Sequence, residues 1–180
     1  MIIVRKACAG EETAIISFYA DLIEIMRNNE FRPTWEVGIY PTIDTIRDAI
    51  AANTLYVAVD TERDGHIVSA GICNHNQGEG YETVPWKVDA APEKVSVIHL
   101  LGVDPRLQHQ GIGRKVIQTM IADCKAQGDL AIRLDALPWN KPARALYEGC
   151  GFVLCGSLPM VYPPRDVINF SMYEYAVQAE

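Results

Sequence analysis

No Cys-x-x-Cys pair occurs in the 180 residues, and the five cysteines, Cys8, Cys73, Cys124, Cys150 and Cys155, are an odd number. A disulfide framework or a zinc ribbon needs paired, suitably spaced thiols, so both are disfavoured, no metal site is expected, and a reducing, cytoplasmic compartment is anticipated. Positive charge is the scarcer sign: 16 Lys and Arg stand against 23 Asp and Glu, a formal net charge of -7. A nucleic-acid surface needs concentrated Lys and Arg, which argues against that partner. No apolar run approaches the roughly 20 residues that span a bilayer. Met1-Ile2-Ile3-Val4 also gives way at once to Arg5 and Lys6, so neither export nor membrane insertion is expected. Hydrophobic residues still make up 49% of the chain, enough to fill one core and consistent with a single domain over 1–180.

Periodicity sets out the elements. A β-branched run, Ile2 to Ala7, precedes a helical pattern of Ile15, Ile16, Tyr19, Leu22, Ile23 and Met26, and Ile43, Ile46 and Ile50 predict a second helix ending near Asn53. Leu55–Val59 and Ile67–Ile72 flank Arg63-Asp64-Gly65-His66, a hairpin signal. Val95–Val103 is the most apolar run and predicts a central strand. From Gly111 a helix follows, with Ile112, Val116, Ile117, Met120, Ile121 and Cys124 on one face, closed by Gly128. Leu130–Asp135 reads as a strand, and Asn140 with Pro142 opens a helix through Leu146, Tyr147 and Cys150. Phe152–Cys155 and Ile168–Tyr173 read as closing strands, joined by a loop containing Pro159, Pro163 and Pro164. The resulting order is α/β: one mixed sheet of about seven strands with about four helices on its faces.

The chemistry-bearing segment is Val103-Asp104-Pro105-Arg106-Leu107-Gln108-His109-Gln110-Gly111-Ile112-Gly113-Arg114. A buried strand feeding a glycine loop at a helix start directs backbone N–H groups and the helix dipole at one spot, which suits phosphate or pyrophosphate. A dinucleotide fingerprint would need a third glycine where Val116 stands, and a Walker loop would need Gly-Lys-Ser/Thr. Nucleotide-binding oxidoreductases and kinases are therefore disfavoured, and a glycine turn without a ligand stays open.

Gln108-x-x-Gly111-x-Gly113 resembles the Q/R-x-x-G-x-G/A loop of the GNAT superfamily of acyl-CoA N-acyltransferases. Downstream, Asn140-Lys141-Pro142-Ala143-Arg144-Ala145-Leu146-Tyr147-Glu148-Gly149-Cys150-Gly151-Phe152 resembles that superfamily's N-x-x-A-x-x-L-Y-x-x-x-G-F segment. The resemblance implies a GNAT-like fold and acetyl-CoA as cofactor. It assigns the main chain of Leu101, Gly102 and Val103 to the pantetheine arm. Gln108, His109, Gln110, Gly111, Ile112, Gly113 and Arg114 fall to the pyrophosphate, and Asn140 to the cofactor arm. Tyr147 matches the tyrosine beside the thioester sulfur, a proton donor to the departing thiolate.

Acyl transfer to an amine needs a neutral nitrogen, and alkylamines near pKa 10.4 are mostly protonated at neutral pH. Alternation puts Val97, His99 and Leu101 on one face before any bulge. His99, with an unperturbed pKa near 6.5, is the candidate base, alone or through water, with a core histidine as the competing reading. His66, His75 and His109 lack ligand spacing and are assigned to surface or loop. The resemblance places the acceptor against residues 28–42 and 156–167, where Phe31, Trp35, Tyr40, Met160 and Tyr162 form an apolar wall or cap the core. A small-molecule amine is the favoured acceptor. A protein or peptide amine and a non-catalytic acyl-CoA-binding regulator remain as alternatives, and a homodimer is compatible with all three.

Overall fold

The computed structural model describes residues 1–162 and 166–177. Its elements are β1 (Ile2–Lys6), α1 (Glu12–Met26), α2 (Ile43–Ala51), β2 (Leu55–Asp60), β3 (His66–Asn74), β4 (Val95–Val103), α3 (Ile112–Gln127), β5 (Ala131–Ala136), α4 (Lys141–Gly149), β6 (Val153–Tyr162) and β7 (Asp166–Ala176). The strands form a seven-stranded mixed sheet in the order β1-β2-β3-β4-β5-β7-β6. The β4–β5 register is parallel, Val95↔Ala131 to Val97↔Arg133, and the β1–β2, β2–β3, β5–β7 and β6–β7 registers are antiparallel.

Local chemistry explains the boundaries. In α1, Ile15, Phe18, Tyr19 and Leu22 fall on one buried stripe. Thr42 caps α2 reciprocally with Thr45, its hydroxyl accepting from the Thr45 N–H at 3.1 Å. Asp64 and Gly65 both take positive φ, 52° and 72°, as the expected Asp-Gly turn requires. Gly128 and Gly151, at φ 79° and 95°, follow the ends of α3 and α4.

The chain divides into two compact units, Met1–Cys73 with His99–Met120, and Asn74–Ile98 with Ile121–Glu180. The first is packed by α1, α2, β2 and β3, with Ile15, Tyr19, Ile46, Leu55 and Val57 at its centre and Leu100 from β4 joining them. The second gathers Tyr81, Val97, Leu158, Phe170 and Met172. There an ion pair between Arg133 and Glu174, 7% and 1% exposed, is fully engaged. Glu174 also accepts from the Lys87 and Val88 N–H groups, while Arg133 donates to Gln77 and the Val88 carbonyl and stacks on Trp86. Buried charges persist only when satisfied in this way, and here they fasten the glycine- and proline-rich segment after β3 to β5 and β7.

One expectation needs correction. The closing strands are much longer than Phe152–Cys155 and Ile168–Tyr173: they pair from Val153↔Glu174 out to Tyr162↔Asp166, so residues 156–162 are strand and not loop. Pro159 misled the reading, yet it sits opposite Asn169 in β6, the outermost strand, where a missing N–H is tolerated. His75 is the exposed loop residue that was expected, and its Nε2 lies 3.0 Å from buried Asp129, which accepts in turn from Ser96.

Candidate acyl-CoA site

In the first unit, β4 does not run straight. Leu100 has φ +54°, a left-handed conformation rare for a branched side chain, so the extended backbone of the strand is interrupted immediately after His99. Its carbonyl accepts from the Tyr19 hydroxyl at 2.7 Å. Two residues on, the Gly102 carbonyl accepts from Ser69 Oγ at 2.6 Å. Gly102 is tightly enclosed: a Cβ there would lie 2.8 Å from Leu22 Cδ1 and 3.5 Å from Trp35. His99, Leu101 and Val103 are half-buried, whereas Leu100 and Gly102 are buried.

Beyond the strand, Asp104 turns the chain. It accepts from the Arg106 N–H at 2.9 Å and holds the Arg106 guanidinium through both oxygens. Burial acts to raise this carboxyl, but the Arg106 bonds prevail and hold it below the ordinary range. Residues Gln108 to Gly111 are exposed. His109 and Gly111 both adopt left-handed φ, 63° and 77°, the kind of turn from which anion-binding concavities are built. Nothing lies within 4 Å of the place a Gly111 Cβ would occupy, so the loop backbone is open to approach. The helix starts at Ile112, one residue later than expected, with the Lys115 N–H bonded to the Gly111 carbonyl. Ile112 and Gly113 are buried and Arg114 is exposed. The geometry brings Leu101 to Val103 and Gln108 to Arg114 into one unit, as one strand, turn and helix start.

In the second unit, Asn140 caps α4, its Oδ1 accepting from the Ala143 N–H at 3.2 Å. Arg144 donates to the Tyr173 hydroxyl and the Pro138 carbonyl, and Tyr173 donates to Glu148, so α4 is fastened to β7. Tyr147 is 8% exposed, its ring against Phe152 and Tyr173 at 6.1 and 6.2 Å. Burial, and then the charge of Asp135, pushes the Tyr147 phenol well above its ordinary value. A phenol so placed keeps its proton across the physiological range. Asp135 itself accepts from the Tyr81 hydroxyl at 2.8 Å.

The expected acceptor wall divides. Trp35 is half-buried, edge-on to Tyr19 at 5.6 Å and against Gly102, so it caps the first core. Phe31 is half-buried and Tyr40 exposed, the latter in a turn closed by paired Glu36–Tyr40 main-chain bonds. Met160 packs on the second core from within β6, and Tyr162 is the last β6 residue, its backbone paired with Asp166. Sequence reasoning passed over Tyr19 and Ser69. Tyr19 read as one more helix-face aromatic and Ser69 as an ordinary strand residue, and no local pattern marks a hydroxyl whose partner is a carbonyl 81 or 33 residues away. A cavity of about 350 Å³ in the same unit lies between Phe18, Asp21, Leu22, His66 and Arg106, and none of the sequence-chosen residues lines it.

A model of the acetyltransferase (GNAT) family matches residues 20–152. The chain is similar to mycothiol acetyltransferase of Beutenbergia cavernae, 32% identical over 78 residues that make up 43% of this chain and 26% of that protein. It is similar also to the ribosomal protein bS18-alanine N-acetyltransferase of Salmonella typhimurium, 28% identical over 86 residues, 43% of this chain and 58% of that one. The matches thus span less than two thirds of either relative. A Salmonella typhimurium protein solved with its cofactor acetyl-CoA has the same fold, with TM-score 0.69 and 13% identity over 100% of this chain and 96% of that one.

Proposed function

The chain belongs to the acetyltransferase (GNAT) family, and on that footing we propose that it transfers an acetyl group from acetyl-CoA to a primary amine, with residues 1–180 acting as one catalytic domain. The observation that carries this reading is the exposed loop with left-handed His109 and Gly111 at the start of the 16-residue α3, directly after β4. An open backbone there, with helix N–H groups and no Cβ at Gly111, fits a pyrophosphate.

Acetyl-CoA supplies the acetyl group as a thioester, whose carbonyl carbon takes the amine and whose thiolate leaves. The main chain of Leu101 to Val103 holds the pantetheine arm, while Gln108 to Arg114 bind the pyrophosphate. Asn140 hydrogen-bonds the cofactor arm with the side-chain amide N–H groups that its capping oxygen leaves available. Tyr147 gives its phenolic proton to the thiolate; burial keeps that phenol protonated at rest, so the proton is there to give. His99, half-buried on β4, takes the ammonium proton directly or through water. Orientation of the amine supplies more of the rate than either proton transfer, up to roughly 7 to 11 kcal/mol.

The acceptor is a small-molecule amine, with Phe31, Trp35, Tyr40 and Tyr162 bordering its approach. One relative is named for a ribosomal-protein alanine, which makes a peptide N-terminus the competing acceptor. The five cysteines are thiols and not disulfides, which suits a cytoplasmic enzyme. No helix among the described residues is long and apolar enough to cross a membrane.

The test is calorimetry with acetyl-CoA, NADH and ATP on the native protein and on folded Gly111→Glu. Selective acetyl-CoA binding that the introduced carboxylate abolishes is expected, and no binding by the native protein would overturn the reading. Thiol release across a panel of small amines and alanine-terminated peptides then identifies the acceptor. Cofactor binding with flat traces throughout would leave the regulator in place of the enzyme.

A further inference from the structure

The carbonyls of β4 are held in a way that neither the glycine spacing nor the family motif calls for. Leu100, left-handed in mid-strand, is a strained residue, and such a conformation persists only when its surroundings hold it. Its holder is the Tyr19 hydroxyl, 2.7 Å from the Leu100 oxygen on a side chain only 1% exposed. Burial raises the Tyr19 phenol, so it remains a donor at all working pH. Ser69, 0% exposed, does the same for the Gly102 oxygen at 2.6 Å.

Neither hydroxyl is needed for packing. The Tyr19 ring makes its edge contacts with Phe18 and Trp35 whether or not it carries oxygen, and a methyl group would fill most of the Ser69 space. What the hydroxyls decide is direction. The main-chain groups of successive strand residues point to opposite edges. The Gly102 oxygen turns to Ser69 of β3, and the Asp104 N–H donates to the Val68 carbonyl of β3 at 2.9 Å. Leu101 and Val103 therefore present their main-chain groups along the other edge.

We infer that Tyr19 and Ser69 are positioning residues for the acyl-CoA arm: by tying back the Leu100 and Gly102 carbonyls they hold the Leu101 and Val103 main chain in register with a ligand carrying secondary amides, as pantetheine does. This rests on the acetyl-CoA reading above and adds two side chains, from α1 and β3, to it. Their role is indirect, since each acts through a backbone carbonyl.

The experiment compares two probes by calorimetry: CoA, which carries the pantetheine arm, and 3′-phosphoadenosine diphosphate, which carries only the part held by the loop. Folded Tyr19→Phe is expected to bind CoA about tenfold more weakly, the usual consequence of one lost hydrogen bond to a buried acceptor. It should bind the nucleotide fragment within about twofold of the native protein, because the pyrophosphate loop is untouched. In turnover, KM for acetyl-CoA should rise while KM for the amine does not. Ser69→Ala is expected to repeat the pattern and carries the test if Tyr19→Phe fails to fold. Unchanged CoA affinity in folded variants, or equal weakening of both probes, would overturn the inference, the second outcome marking a merely structural role. Failure of the native protein to bind CoA would instead remove the acetyl-transfer reading, and the inference with it.

Discussion

The turn between β4 and α3 and the helix α4 would serve the proposed site in opposite ways. The turn is exposed from Gln108 to Gly111 and under the proposal acts through its main chain, with two left-handed residues setting the direction of its N–H groups. On α4 the group is a side chain, the Tyr147 phenol, 8% exposed and held in place by aromatic contacts and by the bonds of Arg144, Tyr173 and Glu148. The difference teaches where each region is vulnerable. A backbone site tolerates the loss of most side chains and fails when φ is altered, whereas a side-chain site fails when a single atom is removed.

The sharpest way to separate the two is Tyr147→Phe, which keeps the ring and deletes the proposed acid. A fall in kcat of about 10²-fold or more is expected, with KM for acetyl-CoA nearly unchanged, measured by steady-state thiol release. His99→Ala should cost roughly 10²-fold at the low end of general base catalysis and alter the pH profile, and unchanged turnover would remove it as the base.

The main-chain site should respond in binding and not in kcat. Gly111→Ala forces a Cβ into φ +77°, a strain of about 1 to 2 kcal/mol that should weaken acetyl-CoA roughly tenfold by calorimetry. By contrast His109→Gly removes a whole side chain but keeps the left-handed position, and affinity within about twofold of native is expected. A large loss there would show that the imidazole, and not the main chain, is what the loop contributes.

The smallest effect concerns the Asp104 turn that leads into the loop. Its carboxyl is depressed by Arg106 against the opposing pull of burial. A depressed carboxyl adds stability that is present above the unfolded value near 3.9 and lost as pH falls through the folded value. Asp104→Asn should therefore lower Tm by about 3 °C at pH 7, and the gap from native should narrow as melts are taken to acid and close once the native carboxyl is protonated. A gap that persists in acid would mean that shape, and not charge, is what Asp104 supplies.

Much of this was legible before the structure. The α-helices and strands of the described residues follow from local periodicity in their observed order, and the loop and α4 motifs could be picked out because glycine spacing and capping residues act within a few positions. The extension of β6 and β7 could not, since a strand containing Pro159 is decided by its place at the outside of the sheet. Nor could the roles of the acceptor-side aromatics be divided: Trp35 and Met160 turn into the two cores, and only contacts with distant residues reveal it.

By itself, then, the order of residues determined the elements, the family motifs and the glycine loop at the start of α3, all of which depend on interactions a few residues long. Tertiary structure alone decided the left-handed break at Leu100, the tie-back of its carbonyl by Tyr19 and of Gly102 by Ser69, and the raised phenol of Tyr147. The reason is physical: strain in a strand, a buried hydrogen bond and a desolvated hydroxyl each exist only once groups far apart in the chain have been brought together and water has been removed from between them.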